Sequence, residues 1–299
     1  MLPKLDPSII LPLTLTPMTN QNYHDEFFTM LQSLSNDKPS ITVVGGAGVS
    51  AESGIPTFRG PEGYWTIGSA SYSPMEMATL AKFSSNPLEV WSWYLHRLRI
   101  CAAAPINPAH KSLARMGQRM GAKYFALISQ NVDGLHIRAG SPTTSLYEIH
   151  GNIGYMRALK AGHDTKERTL VPNIFYETSI SIKEALASTI FASTGTPSHR
   201  PNVLWFDEFY DEKIYRSQSA VNFASMSDLL IIAGTSGATS LPQQLFQIAQ
   251  RNGIPILEIN PCPSHFTKGL QRNPANRYWP IDASRAFSFI EEILTPNRK

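Results

Sequence analysis

Six short apolar runs, spaced by segments long enough for a helix, restrict this chain to few architectures. They are 41–44, 124–128, 146–149, 202–206, 229–233 and 254–259. Most are apolar at every position rather than alternating, the pattern of strands covered on both faces in a parallel sheet. Helical patterns such as 241–251 lie between several of them. The sequence therefore predicts an α/β fold. A Rossmann-like parallel sheet domain is expected from 23–57, 102–150 and 200–299. Two stretches, 58–101 and 151–199, break the alternation and exceed ordinary strand–helix connections. These insertions are expected to form a second, smaller domain.

Residues 1–22 contain Pro3, Pro7, Pro12 and Pro17 and read as an extended N-terminal arm. The arm lacks the basic start and cleavage site of a secretory signal. With Asp6 and no Arg it also fits a mitochondrial transit peptide poorly, so an intracellular protein of cytoplasm or nucleus is expected ahead of mitochondrion. Of 299 residues, 42% are hydrophobic and 16% charged, which excludes a disordered chain. The charge of +3 is not gathered into a basic block, which argues against direct nucleic-acid binding. Only Cys101 and Cys262 are present, which rules out a disulfide framework and a four-thiolate zinc site. No apolar run is long enough for a membrane span.

The first run leads into Gly45-Gly46-Ala47-Gly48-Val49-Ser50-Ala51, where Gly46, Gly48 and Ala51 satisfy a dinucleotide-binding fingerprint. Such glycines permit a tight turn and a backbone approach to a pyrophosphate. Taken alone, the loop is equally a structural turn. Hydride-transfer enzymes add a second strand ending in an acid about 20 residues on. Here that window holds Ser69-Ala70-Ser71-Tyr72-Ser73, with no acid and no strand expected, which disfavours that class.

Residues 46–60, Gly46-Ala47-Gly48-Val49-Ser50-Ala51-Glu52-Ser53-Gly54-Ile55-Pro56-Thr57-Phe58-Arg59-Gly60, resemble the first signature of the sirtuins, NAD-dependent protein deacylases. Three further signatures follow in order: 129–140 around Gln130-Asn131-Val132-Asp133, then Glu148-Ile149-His150-Gly151-Asn152, then Gly234-Thr235-Ser236 with Ile259-Asn260. The resemblance covers roughly 22–294 and implies NAD as cofactor and an acyl-lysine protein or peptide as substrate. It implies cofactor contacts from Gly46, Ala47, Gly48, Ser50, Phe58, Arg59, Gln130, Asn131, Asp133, Gly234, Thr235, Ser236 and Asn260. In the family the acyl oxygen attacks C1′ of the nicotinamide ribose and expels nicotinamide. A histidine, here His150, then activates a ribose hydroxyl, and Asn131 is the second expected catalytic residue. A neutral imidazole suits that role near pH 7. The blander readings are that Asn131 and Asp133 cap the next helix and that a histidine is structural. His136 is expected to pack locally.

The segment 200–208, Arg200-Pro201-Asn202-Val203-Leu204-Trp205-Phe206-Asp207-Glu208, looks like the lining of the acyl-lysine channel, with Val203 and Phe206 as walls. A peptide would add there as a strand. The family usually has glycine at Asp207, which is expected to tilt or restrict docking. Residues 87–97 read as a helix on which Tyr94 and Arg97 share a face. This pair resembles the one that desuccinylase-type sirtuins place on the distal carboxylate of succinyl- or malonyl-lysine, with small Ala78 leaving room. The bland alternative makes Tyr94 core and Arg97 a solvated surface residue.

Most sirtuins bind a structural zinc through two C-x-x-C pairs. Here those positions align with Ala158 and Ala161, and with Ala192 and Gly195, so no metal site is expected. Ser181-Ile182-Lys183-Glu184 reads as a capping box, and Ile182, Leu186 and Ile190 form an apolar stripe that can replace the metal's contribution. Thr239 and Ile281 depart from family residues near the cofactor. The reading is a zinc-free deacylase preferring acidic acyl groups. Its alternatives are a sirtuin-type ADP-ribosyltransferase or NAD glycohydrolase, and a catalytically weak NAD-sensing or scaffolding module. The oligomeric state is left open.

Overall fold

The computed structural model describes residues 19–56, 65–67, 70–160, 163–191 and 195–295. Among these residues the chain forms eleven strands: β1 (Ile41–Gly45), β2 (Trp65–Ile67), β3 (Ala70–Tyr72), β4 (Phe125–Ser129), β5 (Leu146–Glu148), β6 (Gly151–Lys160), β7 (His163–Leu170), β8 (His199–Val203), β9 (Leu229–Ala233), β10 (Ile256–Ile259) and β11 (Arg277–Trp279). Six of them make one parallel sheet in the order β11-β10-β9-β1-β4-β5. Ile41 stands between Phe125 on one side and Leu229 on the other. The chain leaves β1 toward β4 and β5 and later returns to β9 on β1's opposite side. The order therefore reverses at β1, and its carboxyl end opens the crevice where such sheets bind ligands.

Alternate side chains serve opposite faces. Ile41, Val43, Phe125, Leu127, Leu229 and Ile231 pack with the helices Asn20–Gln32, Pro108–Met120 and Ala283–Leu294. Val44, Ala126, Ile128, Leu230 and Ile232 pack with Ser217–Ser225 and Ser240–Arg251. Both faces are covered, which is why the runs are apolar throughout. Ile281 is buried in the first of these cores.

A third core joins the helices Pro87–Ala103 and Ile182–Ser188 to β6, β8 and Trp205. Here β7, β6 and β8 form a separate antiparallel sheet. The run 202–206, expected as a parallel strand of the main sheet, instead ends β8 in this smaller one. Its apolar residues serve the smaller module's core through Val203 and Trp205, and composition cannot reveal which sheet a strand joins. β2, β3, β6, β7 and β11 were not anticipated. β3 falls in the window 69–73 expected to hold no strand, though it pairs with β2, outside the main sheet. β7 is exposed and charged, and β11 is only three residues long.

The helix Asn20–Gln32 begins inside the segment expected to be an extended arm. Thr19 and Asn22 form its capping box, and Tyr23 and Phe27 meet Trp279 edge-on. Residues 1–18 of that arm lie outside the described residues. No described helix is long and apolar enough to cross a membrane.

Ser181 and Glu184 do form a capping box, and Leu186, Ile190, Ala185 and Phe175 are buried beneath it. Arg157 and Arg200 add buried ion pairs. Arg157 donates to Asp164 at 2.8 Å, Asn202 at 3.0 Å and the Tyr215 hydroxyl at 2.9 Å. Arg200 grips both oxygens of Glu208 and lies 3.8 Å over the Trp205 ring. Ala158 lies on β6 and Gly195 has φ of +69°, whereas Ala161 and Ala192 fall outside the described residues. Alanine and glycine carry no ligating atom, so these residues do not fit the family's zinc. Nearby His199 has its Nδ1 against the Ser198 hydroxyl at 2.9 Å.

Candidate active site

The loop after β1 is locked to the loop after β9. The Gly46 N–H donates to Ala233 O at 2.9 Å and the Gly48 N–H to Gly234 O at 2.8 Å. A Cβ on Gly46 would lie 2.6 Å from Thr235 Cβ, and one on Gly48 2.7 Å from Gly234 Cα. The two glycines are therefore required by loop-to-loop packing before any phosphate approaches. Asn260 extends the same edge by donating to Thr235 O at 2.8 Å. Phe58 and Arg59 lie outside the described residues.

Behind this loop, Ser50 collects a buried polar cluster. Its hydroxyl donates to Asp133 Oδ2 at 2.7 Å and accepts from Asn131 Nδ2 at 3.0 Å. His110 Nε2 stands 3.2 Å from the same oxygen. Since the serine proton is given to the carboxylate, His110 must donate, which fixes its Nε2–H form. Burial first and then the His136 ring hold His110 down at about 3, so it stays neutral. The second N–H of Asn131 goes to Gly46 O at 3.0 Å, leaving Oδ1 as what it can offer a ligand. Asp133 Oδ1 caps the Leu135 N–H at 2.9 Å, so its capping role is real alongside its place in the cluster.

Gln130 is held from three sides. Its Nε2 reaches Gly45 O at 3.3 Å, and its Oε1 accepts from Thr239 at 3.0 Å and Thr235 at 3.4 Å. Thr239, a departure from the family pattern, thus orients an expected cofactor ligand.

His150 follows β5. Its Nδ1 lies 2.9 Å from Gln130 O, and a carbonyl can only accept, so Nδ1 carries the proton. Nε2 is then the bare nitrogen, and the Tyr210 hydroxyl sits 3.1 Å from it. Burial pushes the imidazole down to about 4, and the Gln130 carbonyl opposes this only partly. Gly151 has φ of +85°, and a Cβ there would fall 2.1 Å from Asn202 O, so β8 crosses too closely for any other residue. Glu148 accepts from Asn152 at 2.7 Å while burial pushes its carboxyl up to about 7.

The residues expected to line an acyl channel also lie close together. Val203 and Trp205 are buried, and Trp205 Nε1 donates to the Tyr94 hydroxyl at 3.0 Å. The Phe206 N–H donates to Ala78 O at 3.0 Å, which brings these two expected substrate residues together, although the Phe206 ring is exposed. Arg97 is 4% exposed, with its guanidinium 4.6 Å from the Trp93 ring. The solvated-surface reading of Arg97 is therefore incorrect.

His110 and Tyr210 were not anticipated. Asn107-Pro108 signals a helix start, and Asn107 does cap the His110 N–H at 3.1 Å. Nothing in that signal brings the helix to Ser50. Tyr210 lies in a loop with no periodic pattern.

The Sir2 family profile matches residues 46–240. A protein of Leptospira interrogans serovar Lai named NAD-dependent protein deacylase is 40% identical over 77% of this chain and 85% of its own length. A solved Sir2 homologue bound to ADP-ribose superposes with a TM-score of 0.70 at 27% identity, covering 90% of this chain and 96% of that one. A Sir2 homologue–NAD complex gives 0.69 at 27% identity, over 90% and 93% of the two chains. This chain belongs to the Sir2 family, the NAD-dependent protein deacylases.

Proposed function

We propose that this NAD-dependent protein deacylase uses His150 as its general base and Asn131 to orient the cofactor, and that it favours lysine acyl groups ending in a carboxylate. The observation that carries the first part is the tautomer of His150. A proton fixed on Nδ1 by Gln130 O, together with burial, presents a neutral Nε2 able to take a proton at pH 7. NAD supplies the ADP-ribosyl group that receives the acyl group and releases nicotinamide. The interlocked glycine loops and the strapped Gln130 fit such a ligand, because they are rigid before it binds. Asn131, with both N–H groups turned inward, would present Oδ1 to the nicotinamide amide. Gly46, Ala47, Gly48, Ser50, Gly234, Thr235, Ser236 and Asn260 would line the remainder of the cofactor's crevice, and Asp133 would hold Ser50.

Burial of Arg97 supports the acidic acyl preference. Its guanidinium lies against the Trp93 and Tyr94 rings, 4.6 Å and 5.9 Å from their centroids, which sets it beside the Tyr94 phenol. Tyr94 accepts from Trp205, which leaves its own O–H to donate. A phenol and a guanidinium can both hydrogen-bond one carboxylate. Val203, Phe206 and Ala78 would form the channel leading to it. We also propose that the β6–β7–β8 module works without zinc, supported by Arg157, Arg200 and the core beneath Ser181.

Incubation with NAD and acetyl-, succinyl- and malonyl-lysine peptides, followed by mass spectrometry, tests the reading. Deacylated peptide with equimolar nicotinamide is expected, and His150→Ala should bind NAD yet not deacylate. A His150→Ala enzyme with wild-type turnover would remove the base assignment.

A further inference from the structure

The Tyr210 hydroxyl stands 3.1 Å from His150 Nε2, the nitrogen that the proposed base would turn to a substrate hydroxyl. An imidazole nitrogen without a proton has one lone pair, lying in the ring plane, and accepts one good hydrogen bond. The Nδ1 proton of His150 is committed to Gln130 O, so Nε2 can only accept, and Tyr210 must donate to it at 3.1 Å. The two ring planes are inclined by 23° with centroids 6.1 Å apart. Burial raises the pKa of the Tyr210 phenol, while Ser240 and Leu241, in the first turn of the helix Ser240–Arg251, lower it in part. Because Nε2 can only accept, the Tyr210 proton is directed at His150.

Tyr210 is also carried by the segment expected to dock the acylated peptide. Phe206 and Asp207 of that segment are tied to the Ala78–Ala81 loop, and Phe209 beside Tyr210 is 92% exposed. A ligand that pairs with this backbone would bind within four residues of Tyr210 in the chain. We propose that Tyr210 masks the general base, its O–H filling the lone pair of His150 Nε2 until an acylated peptide docking on residues 206–208 draws it away. This rests on the reading of His150 as base. The mask couples base exposure to the presence of substrate. With Nε2 bare and no peptide bound, a water could give its proton to Nε2. The water oxygen would bond to C1′ of the nicotinamide ribose while the C1′–N bond broke with its electron pair onto nicotinamide. Tyr210 suppresses this loss of NAD.

The test compares the wild type with Tyr210→Phe, which keeps the ring and removes the proton. Peptide-independent nicotinamide release should rise about three- to tenfold, the worth of one neutral hydrogen bond, so that more than one nicotinamide is released per lysine deacylated. That excess should vanish in the Tyr210→Phe/His150→Ala double variant. A second readout needs no NAD. Imidazole 15N NMR of the free wild type should show Nε2 as a hydrogen-bonded acceptor, and Tyr210→Phe or added acyl-lysine peptide should shift it toward an unbonded nitrogen. If Tyr210→Phe fails to fold, the peptide titration of the wild-type resonance decides alone. An unmoved Nε2 resonance on peptide addition, or a Tyr210→Phe enzyme with wild-type coupling, overturns the mask. If His150→Ala is inactive in either case, the base assignment survives. Wild-type deacylation by His150→Ala removes both.

Discussion

Asp207 caps Leu80: its Oδ1 accepts the Leu80 backbone N–H at 2.7 Å while its Oδ2 takes the Ala81 N–H at 3.0 Å. These are orphan donors at the start of the helix Leu80–Ser85, where a carboxylate also favours the helix dipole. Asp207 thereby acts as a tether between its own segment and this helix. Asp207 points at the small module and pins the docking segment to the loop carrying Ala78. Replacing it by glycine, the residue the family usually has, should cost about 0.5–2 kcal/mol, as loss of a cap does, toward the lower end because the residue is exposed. KM for acyl-peptide should change more than KM for NAD. Denaturant melts and two-substrate kinetics measure this, and unchanged stability would show the tether to be idle.

Arg157 and the chelator experiment bear on the small module. The Arg157 guanidinium is nearly fully buried and serves Asp164, Asn202 and Tyr215. Removing one partner of a buried ion pair typically costs about 3–5 kcal/mol, reduced here because Asp164 keeps some contact with water. Arg157→Met should lower the melting temperature markedly, while strong chelator should leave that of the wild type unchanged. A chelator-induced drop would mean that a metal holds the module after all.

Acid should unfold the protein early. Burial holds His136 and His150 at about 4 and His110 at about 3, whereas unfolded histidines titrate near 6.5. The unfolded state then binds more protons below that pH, so stability is present above about 6.5 and is lost as pH falls toward 4. Glu148 runs the opposite way. Its raised pKa gives stability that fades as pH climbs through about 7. Three histidines outweigh one carboxyl, so stability should rise between pH 4 and 6.5. Neither ring nitrogen of His136 finds a hydrogen-bond partner among the described residues. His136→Leu should therefore flatten that rise by about one proton's worth with little loss at pH 8. Parallel curves of unfolding free energy against pH for the two proteins would refute the assignment.

The main sheet was legible because parallel strands covered on both faces advertise themselves. Ile41, Leu127 and Ile231 could hardly lie anywhere else. The site was legible where short motifs sit at strand ends, as Gln130, Asn131 and His150 do. Long-range contacts were not legible. That Ser50 meets His110 depends on a helix crossing 60 residues away, and that Thr239 holds Gln130 depends on two loops meeting. The run 202–206 misled because an apolar run carries no information about the strand's partner, and β8 ends at Val203. Arg97 misled for a related reason. Charge in a sequence implies water, and only packing shows that Trp93 and Tyr94 cover it.

Arg97 also carries the sharpest prediction about substrate. If its guanidinium and the Tyr94 hydroxyl bind a distal carboxylate, kcat/KM should favour succinyl- or malonyl-lysine over acetyl-lysine. Arg97→Met keeps most of the buried bulk and removes the charge-assisted hydrogen bonds. Those are worth roughly 1.5–3 kcal/mol, so succinyl turnover should fall by about one to two powers of ten. Acetyl turnover should change far less, since an acetyl group offers Arg97 nothing to hold. The ratio between substrates is the informative quantity, because Arg97 also lies within electrostatic reach of Asp133 and Cys101. If its task is to balance Asp133 behind Ser50, both substrates should lose activity equally, and NAD binding should weaken with them. Equal losses, or a wild-type preference for acetyl-lysine, would make Arg97 a support of the cofactor crevice and leave a deacetylase without an acidic acyl pocket.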